Sequence, residues 1–315
     1  MEEYKVKQIW PAHADHISYY KDKFIQQMFD ESEVIAEPKY DGERMLVHFN
    51  GNEVYCTSRR HSKKTDRFME NQDKIVNLPR LYNNGKLLGY TVVDCEFYSN
   101  TWADAVGVLH SLPERAYELQ KTTKVKFAMF DCLFFNGVDL RDKPYSFRLG
   151  VLAAVRVLIQ DERFHTVPFT VVNNRKECEE LMNRAILLGF EGIVVKSLNK
   201  AYYDKGAMLK CKKFETVDVV VYDYQQGNGK YADTIGALKV GYYDNGKIVH
   251  ISDVNCSTDE ERNYWRDNWN SLKETVIEVK CQEITDRSLR HPVYIRRRPD
   301  KSKEMCTRDT IFKEE

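Results

Sequence analysis

The chain has 315 residues, 42% of them hydrophobic, with 48 basic side chains balanced by 48 acidic ones, a composition that excludes a disordered or fibrous protein and suggests two globular domains. No apolar run approaches a membrane span, and Met1-Glu2-Glu3-Tyr4-Lys5 lacks the basic and apolar regions of a signal peptide. The expected location is therefore cytoplasmic or nuclear, with no membrane partner and with eight reduced cysteines, which form no C-x-x-C pair and argue against zinc ligation.

Zero net charge hides three basic clusters: Arg59-Arg60-His61-Ser62-Lys63-Lys64, Lys210-Cys211-Lys212-Lys213 and Arg296-Arg297-Arg298. Phosphate binding depends on where positive charge is placed more than on its sum, yet each cluster alone also fits a solvated face.

In chain order, residues 34–37 read as a strand and Arg44–Cys56 as a hairpin turning at Asn50-Gly51-Asn52. Thr91–Tyr98 and Lys124–Phe135 are further strands, the second ending at Asn136-Gly137. Pro144 opens a helix with Leu149, Leu152, Ala153 and Val157 on one face. A helix from Lys176 to Leu188 ends at Gly189, and a strand from Gly192 to Ser197 follows. After Phe214 the pattern turns strand-rich, beginning at Val217–Tyr222, with turns at Gly227-Asn228-Gly229 and Asp244-Asn245-Gly246. Ser257-Thr258-Asp259-Glu260 resembles a capping box for a helix running to Thr275, and Val276–Ile284 reads as a strand. Short strands around one helix in about a hundred residues fit a small barrel such as an OB-fold. The boundary is expected near residue 215, giving domains 1–215 and 216–315.

The sharpest local feature is Glu37-Pro38-Lys39-Tyr40-Asp41-Gly42-Glu43-Arg44, with Lys39 at a strand end and Gly42 permitting a tight backbone. An amine attacks only when neutral, so neighbouring cations or burial must favour that form of Lys39. Alone, the segment also fits a surface turn with a salt-bridged lysine.

The segment resembles motif I of the covalent nucleotidyltransferases, and the likeness continues in order. Ser58-Arg59 resembles motif Ia, and Asp94-Cys95-Glu96 motif III. Phe127-Ala128-Met129-Phe130-Asp131-Cys132-Leu133-Phe134-Phe135-Asn136-Gly137 resembles motif IIIa, Glu191-Gly192-Ile193-Val194-Val195-Lys196 motif IV, and Leu209-Lys210-Cys211-Lys212 motif V. Ser288-Leu289-Arg290-His291-Pro292, with Arg298-Pro299-Asp300-Lys301, resembles motif VI of ATP-dependent DNA ligases. Seven such segments at compatible spacings identify the chain as resembling that family, most closely its compact two-domain bacteriophage and viral members. Cys95 replaces the usual glycine of motif III and Cys211 the usual apolar residue of motif V.

The resemblance implies an α+β fold: an adenylation (nucleotidyltransferase) domain of antiparallel sheets and helices, followed by a C-terminal OB-fold barrel. It implies an enzyme that seals 5′-phosphate/3′-hydroxyl nicks in duplex DNA, in replication, repair or recombination, as a monomer and in the host cytoplasm for a viral chain. Lys39 would become a lysyl-AMP, ATP the nucleotide donor, and Mg²⁺ or Mn²⁺ the metal. Glu37 would accept from the adenine amino group, Phe130 stack on adenine, and Arg44 and Glu96 lie by the ribose. Lys210 and Lys212 would meet the α-phosphate, Arg59 the nick 5′-phosphate, and Glu96 and Glu191 the metal. Arg298, Asp300 and Lys301 would orient the pyrophosphate leaving group, with a hinge at 214–218. Lys196 ranks lower, since five residues from Glu191 on a regular strand puts it on the opposite face. The separate N-terminal DNA-binding domain of large cellular ligases is expected to be absent. A capping guanylyltransferase is disfavoured by the segments at 130–137 and 288–292, a non-catalytic OB-fold protein by the full set of reactive positions, and an RNA ligase stays open.

Overall fold

The computed structural model describes residues 7–16, 22–256, 258–285 and 287–312, without the side chains of His16 and Asp22, so Met1–Lys5 and Ser257 lie outside the described residues. The chain divides into two compact units, Met1–Lys212 and Lys213–Glu315. No described helix is long and apolar enough to cross a membrane.

The first unit is built on two sheets. The smaller runs in the order Asp15–His16, Met208–Lys212, Gly192–Ser197, Val34–Lys39, Thr170–Val172, antiparallel except at Asp15–His16. The larger runs Val138–Asp139, Lys126–Phe135, Thr91–Tyr98, Glu43–Asn50, Glu53–Ser62, Arg67–Glu70, with Phe164–Thr166 parallel to Lys126–Phe135. Strand alternation then decides what each face carries. In the small sheet Val34, Ala36, Ile193, Val195, Leu209 and Cys211 pack against helices Asp22–Glu31 and Arg175–Leu187. The alternate positions are Glu37, Lys39, Val194, Lys196, Lys210 and Lys212, so nearly all the charge faces the other way. In the large sheet Met45, Val47, Val93, Cys95, Phe97, Phe127 and Met129 enter the main core with the helix Tyr145–Leu158. Leu46, Val92, Leu133 and Phe134 of its opposite face meet Met208 and Val194 of the small sheet. The two sheets thus face each other, and the polar residues of both are gathered between them.

Two helical expectations change in detail. The helix after Pro144 buries Tyr145, Arg148, Leu152 and Val155, while Val157 is exposed. The true stripe follows i, i+3, i+7, i+10, and its buried arginine is invisible to a purely apolar pattern. Around 258–275 the structure has two helices, Asp259–Asp267 and Trp269–Leu272, separated at Asn268; the first is capped by Thr258, whose side chain accepts from the Glu261 amide.

The second unit is a five-stranded antiparallel sheet ordered Lys247–Val254, Ile235–Asp244, Glu215–Gln226, Val276–Cys281, Val293–Arg297. The strand expected to run to Ile284 breaks at Gln282 and resumes as Glu283–Ile284, paired with Leu289–Arg290. A bridge between Asn255 and Val293 joins the two edges of the sheet and closes it into a barrel, as an OB-fold requires. Trp265 of the capping helix is fully buried in the barrel core with Val219, Leu238 and Val279. All eight cysteines are buried free thiols.

One buried group gives the fold a pH dependence. His48 is fully buried, with Tyr90 hydroxyl 2.8 Å from Nδ1 and Thr57 Oγ1 2.9 Å from Nε2, and burial lowers its pKa to about 3. The unfolded chain therefore takes up a proton below pH of about 6.5 that the folded chain refuses. Its contribution is complete above that pH and is lost as pH falls, by about 2 kcal/mol at pH 5. Urea midpoints measured from pH 7.5 to 5 should fall accordingly, and His48→Gln should flatten the slope.

Candidate active site

Register places the reactive groups. Gly192 is opposite Lys39 on one side and Lys212 on the other, and Val194 is likewise between Glu37 and Lys210. Lys39, Lys212, Glu37 and Lys210 therefore form two adjacent rows on one face. Glu191 immediately precedes this strand, its amide bonded to the Lys39 carbonyl at 2.9 Å. Its carboxylate bridges the two lysines, Oε2 to Lys39 Nζ and Oε1 to Lys212 Nζ. Burial alone would raise the Glu191 pKa, but the two ammonium groups overcome this and hold it below the usual carboxylate range. Burial and Lys39 together lower Lys210 and Lys212, with Glu191 opposing.

Gly192 makes the bridge possible. Its φ is +148°, and a Cβ there would lie 2.2 Å from the Cys211 carbonyl oxygen. Because the backbone departs from a regular strand here, counting parity from Glu191 to Lys196 fails. Lys196 belongs to the same face as Glu37 and Lys39, and its low ranking from sequence is corrected. It is 2% exposed, with Nζ 2.7 Å from Glu37 Oε2, 2.9 Å from the Phe130 carbonyl and 3.1 Å from the Tyr145 hydroxyl. Tyr145 in turn donates to Glu37 Oε1 at 2.7 Å. Burial raises the Glu37 pKa, opposed most strongly by Lys196.

The large sheet supplies the opposite wall. Arg44 holds Asp94 in a fork, Nε to Oδ1 at 2.9 Å and Nη2 to Oδ2 at 2.6 Å, and Tyr202 also bonds to both. The Arg44 guanidinium is 5.2 Å from the Phe130 ring centroid, and Lys196 Nζ is 4.8 Å from it. Phe130 is only partly buried in a strand whose Phe127 and Phe134 are core residues, which leaves ring surface for a stacking partner. Glu96 faces the same space, and burial first, with Glu191 and Asp94 adding, pushes its pKa up to about 7 against the pull of Lys39 and Arg44. Arg59 is exposed and lies close enough to Lys210 to lower its pKa.

Arg298, Asp300 and Lys301 belong to the second unit. There Arg298 forks onto Asp300 through Nε and Nη2, its Nη1 is shared between the two Asp218 oxygens at 2.9 and 3.0 Å, and Lys301 Nζ reaches Asp218 at 2.5 Å. Asp94, Tyr145 and Tyr202 received no role from sequence, and Asp218 only a place in the expected hinge. Of the first three only Asp94 had a signal, as the first residue of the Asp94-Cys95-Glu96 segment.

Among the described residues no cluster of three or more His, Cys, Asp or Glu could hold a metal. Glu191 is nevertheless close enough to Glu96 to raise its pKa. Two carboxylates suit a hard divalent cation completed by phosphate oxygens and water, so the residues fit.

Facing sheets with a lysine at a strand end, followed by a closed barrel, define the class: an α+β nucleotidyltransferase domain joined to an OB-fold. Residues 15–212 match the family model described as ATP dependent DNA ligase domain, and the chain belongs to this family. DNA ligase 1 of Methanosarcina barkeri is 30% identical over 225 residues, covering 64% of this chain and 40% of that protein. The DNA ligase of Nanoarchaeum equitans is 25% identical over 331 residues, covering 91% of this chain and 57% of the relative. The chain thus spans about half the length of these curated relatives. The solved structure Pmar-Lig_PreS3 shares the fold with TM-score 0.69 and 20% identity, over 94% of this chain and 69% of that one. A Lig E DNA ligase structure does so with TM-score 0.65 and 16% identity, over 93% and 100%.

Gly192→Ala should cost about 2 kcal/mol or more, since both backbone angle and space oppose a side chain. Gly51→Ala is the control, at φ +57° with nothing within 4 Å of a new Cβ. Urea denaturation should show the larger loss at Gly192.

Proposed function

We propose that this chain is an ATP-dependent DNA ligase that seals 5′-phosphate/3′-hydroxyl nicks in duplex DNA through a covalent adenylate on Lys39. The observation that carries this reading is the Glu191 carboxylate held between Lys39 and Lys212 at the end of three paired strands. The membership in the ligase family supports it.

In the first step Lys39 Nζ, having lost its proton, attacks the α-phosphorus of ATP. A phosphorus–nitrogen bond forms and pyrophosphate leaves. Next the 5′-phosphate oxygen at the nick attacks the same phosphorus, breaking the bond to Lys39 and giving an adenylated DNA end. Finally the 3′-hydroxyl attacks the DNA phosphorus and AMP leaves. Each step brings an attacking group to an already anionic centre, so positioning and charge neutralisation dominate. Lys210 and Lys212 neutralise the α-phosphate, Glu37 and Phe130 hold adenine, Arg44 and Glu96 border the ribose, and Arg59 takes the nick phosphate. A divalent cation, Mg²⁺ or Mn²⁺, would be held by Glu191 and Glu96 and would supply further neutralisation of phosphate charge. Arg298, Asp300 and Lys301 orient the departing pyrophosphate, with residues 214–218 as the hinge of the second domain. The protein acts as a monomer on DNA in replication, repair or recombination.

With ATP and Mg²⁺ the protein should seal a 5′-phosphorylated nick and acquire radiolabel from α-labelled ATP. Lys39→Ala should lose both activities, and GTP alone should support neither. A folded protein that seals no DNA but joins RNA ends would replace the substrate in this reading. Lys301→Ala should slow self-adenylation by about tenfold or more, the size expected for a lost charged contact, while sealing of a pre-adenylated nick is kept. Equal losses in both assays would remove Lys301 from the first step.

A further inference from the structure

Lys196 and Glu37 are a buried ion pair at the floor of the site, with side chains 2% and 3% exposed. Such a pair is costly to bury and earns little stability, so its placement asks for another reason. All three protons of the Lys196 ammonium are engaged, by Glu37 Oε2, the Phe130 carbonyl and the Tyr145 hydroxyl. None is left for a phosphate oxygen, which separates Lys196 from Lys210 and Lys212. Tyr145 has one proton, with Glu37 Oε1 at 2.7 Å and the Phe130 carbonyl at 2.8 Å as its acceptors. Everything these two side chains grip is therefore either the carboxylate of Glu37 or the backbone of Phe130, the pair assigned above to the purine.

Resting on that assignment, we propose that Lys196 and Tyr145 are positioning residues that set nucleobase selectivity. Lys196 keeps Glu37 an anion, so both carboxylate oxygens only accept hydrogen bonds. An acceptor rewards a base that presents an amino group and repels one that presents a carbonyl oxygen at the same place. Anchoring the Phe130 carbonyl to the same ammonium fixes the stacking ring relative to that acceptor. Arg148 braces the adjoining residue, donating to Asp131 at 2.8 and 2.9 Å. When Lys196 is replaced by a neutral side chain, burial acts on Glu37 with its strongest opponent gone. The carboxyl then takes up a proton and becomes a donor as well, and a 6-oxo purine is no longer disfavoured.

The test is self-adenylation by the full chain with ATP and with ITP, which differ at the 6-position amino and oxo groups, measured for wild type, Lys196→Met and Tyr145→Phe. In Lys196→Met, kcat/KM for ATP should fall by about tenfold or more, as for a lost charge-assisted hydrogen bond, with ITP nearly unchanged. The ATP/ITP ratio should narrow accordingly. Tyr145→Phe removes one hydroxyl and keeps the ring, and should shift the ratio the same way by about threefold. Should Lys196→Met fail to fold, the ratio in Tyr145→Phe decides. Parallel losses with both nucleotides, or an unchanged ratio, would overturn the proposal and make the network structural. Wild type that forms no adenylate with any nucleotide would sink the ligase reading itself, a distinct result.

Discussion

A carboxylate held between two lysines, one on each strand flanking the one it precedes, constrains the rest of the first domain. For Glu191 to reach Lys39 and Lys212 together, their strands must flank the strand that follows Glu191, and in one register. That register requires Gly192, whose backbone leaves no room for a side chain beside Cys211. It also places the apolar residues of all three strands on the reverse face, where two helices cover them. Core formation and site assembly are thus one event: a slip by a single residue would bury the lysines and expose the valines.

The large sheet solves the complementary problem. Its core face is almost wholly apolar, which supplies the burial that a site full of charge cannot. Its other face brings Arg44, Glu96 and Phe130 opposite the lysines, and Arg44 is fixed by the buried Asp94 and Tyr202. A forked guanidinium with its partners already chosen loses little further freedom when a ligand arrives.

The candidate site residues were legible in the sequence because each lies in a short string that resembles a motif of a known family, all of whose members sit within a few positions of one another. Lys39, Glu96, Phe130, Glu191, Lys210 and Lys212 all fall in such strings, and the structure gathers them between two sheets. The pairings were not legible, because they join distant segments: Glu37 to Tyr145 spans 108 residues and Lys196 to Phe130 spans 66. The parity argument failed at Lys196 for a local reason, the positive φ at Gly192, which a sequence does not display. The buried face of the helix Tyr145–Leu158 was misread because its apolar residues surround the axis, while Arg148 enters the interior on the strength of Asp131.

The strand ending at Lys39 carries two carboxylate–lysine contacts of the same chemistry, two residues apart, and their burial differs. Lys39 and Glu191 are 23% and 9% exposed, whereas Lys196 and Glu37 are 2% and 3% exposed. Near solvent, an ion pair exchanges its partner cheaply, since water and arriving phosphate screen the separated charges. In the interior, the same separation leaves a bare charge and is strongly opposed. The outer pair is therefore suited to opening, which in the proposed reaction would free Lys39 for a phosphorus atom and Glu191 for a cation. The inner pair is suited to staying shut, which would keep the proposed purine contacts in one geometry while the phosphate end changes partners.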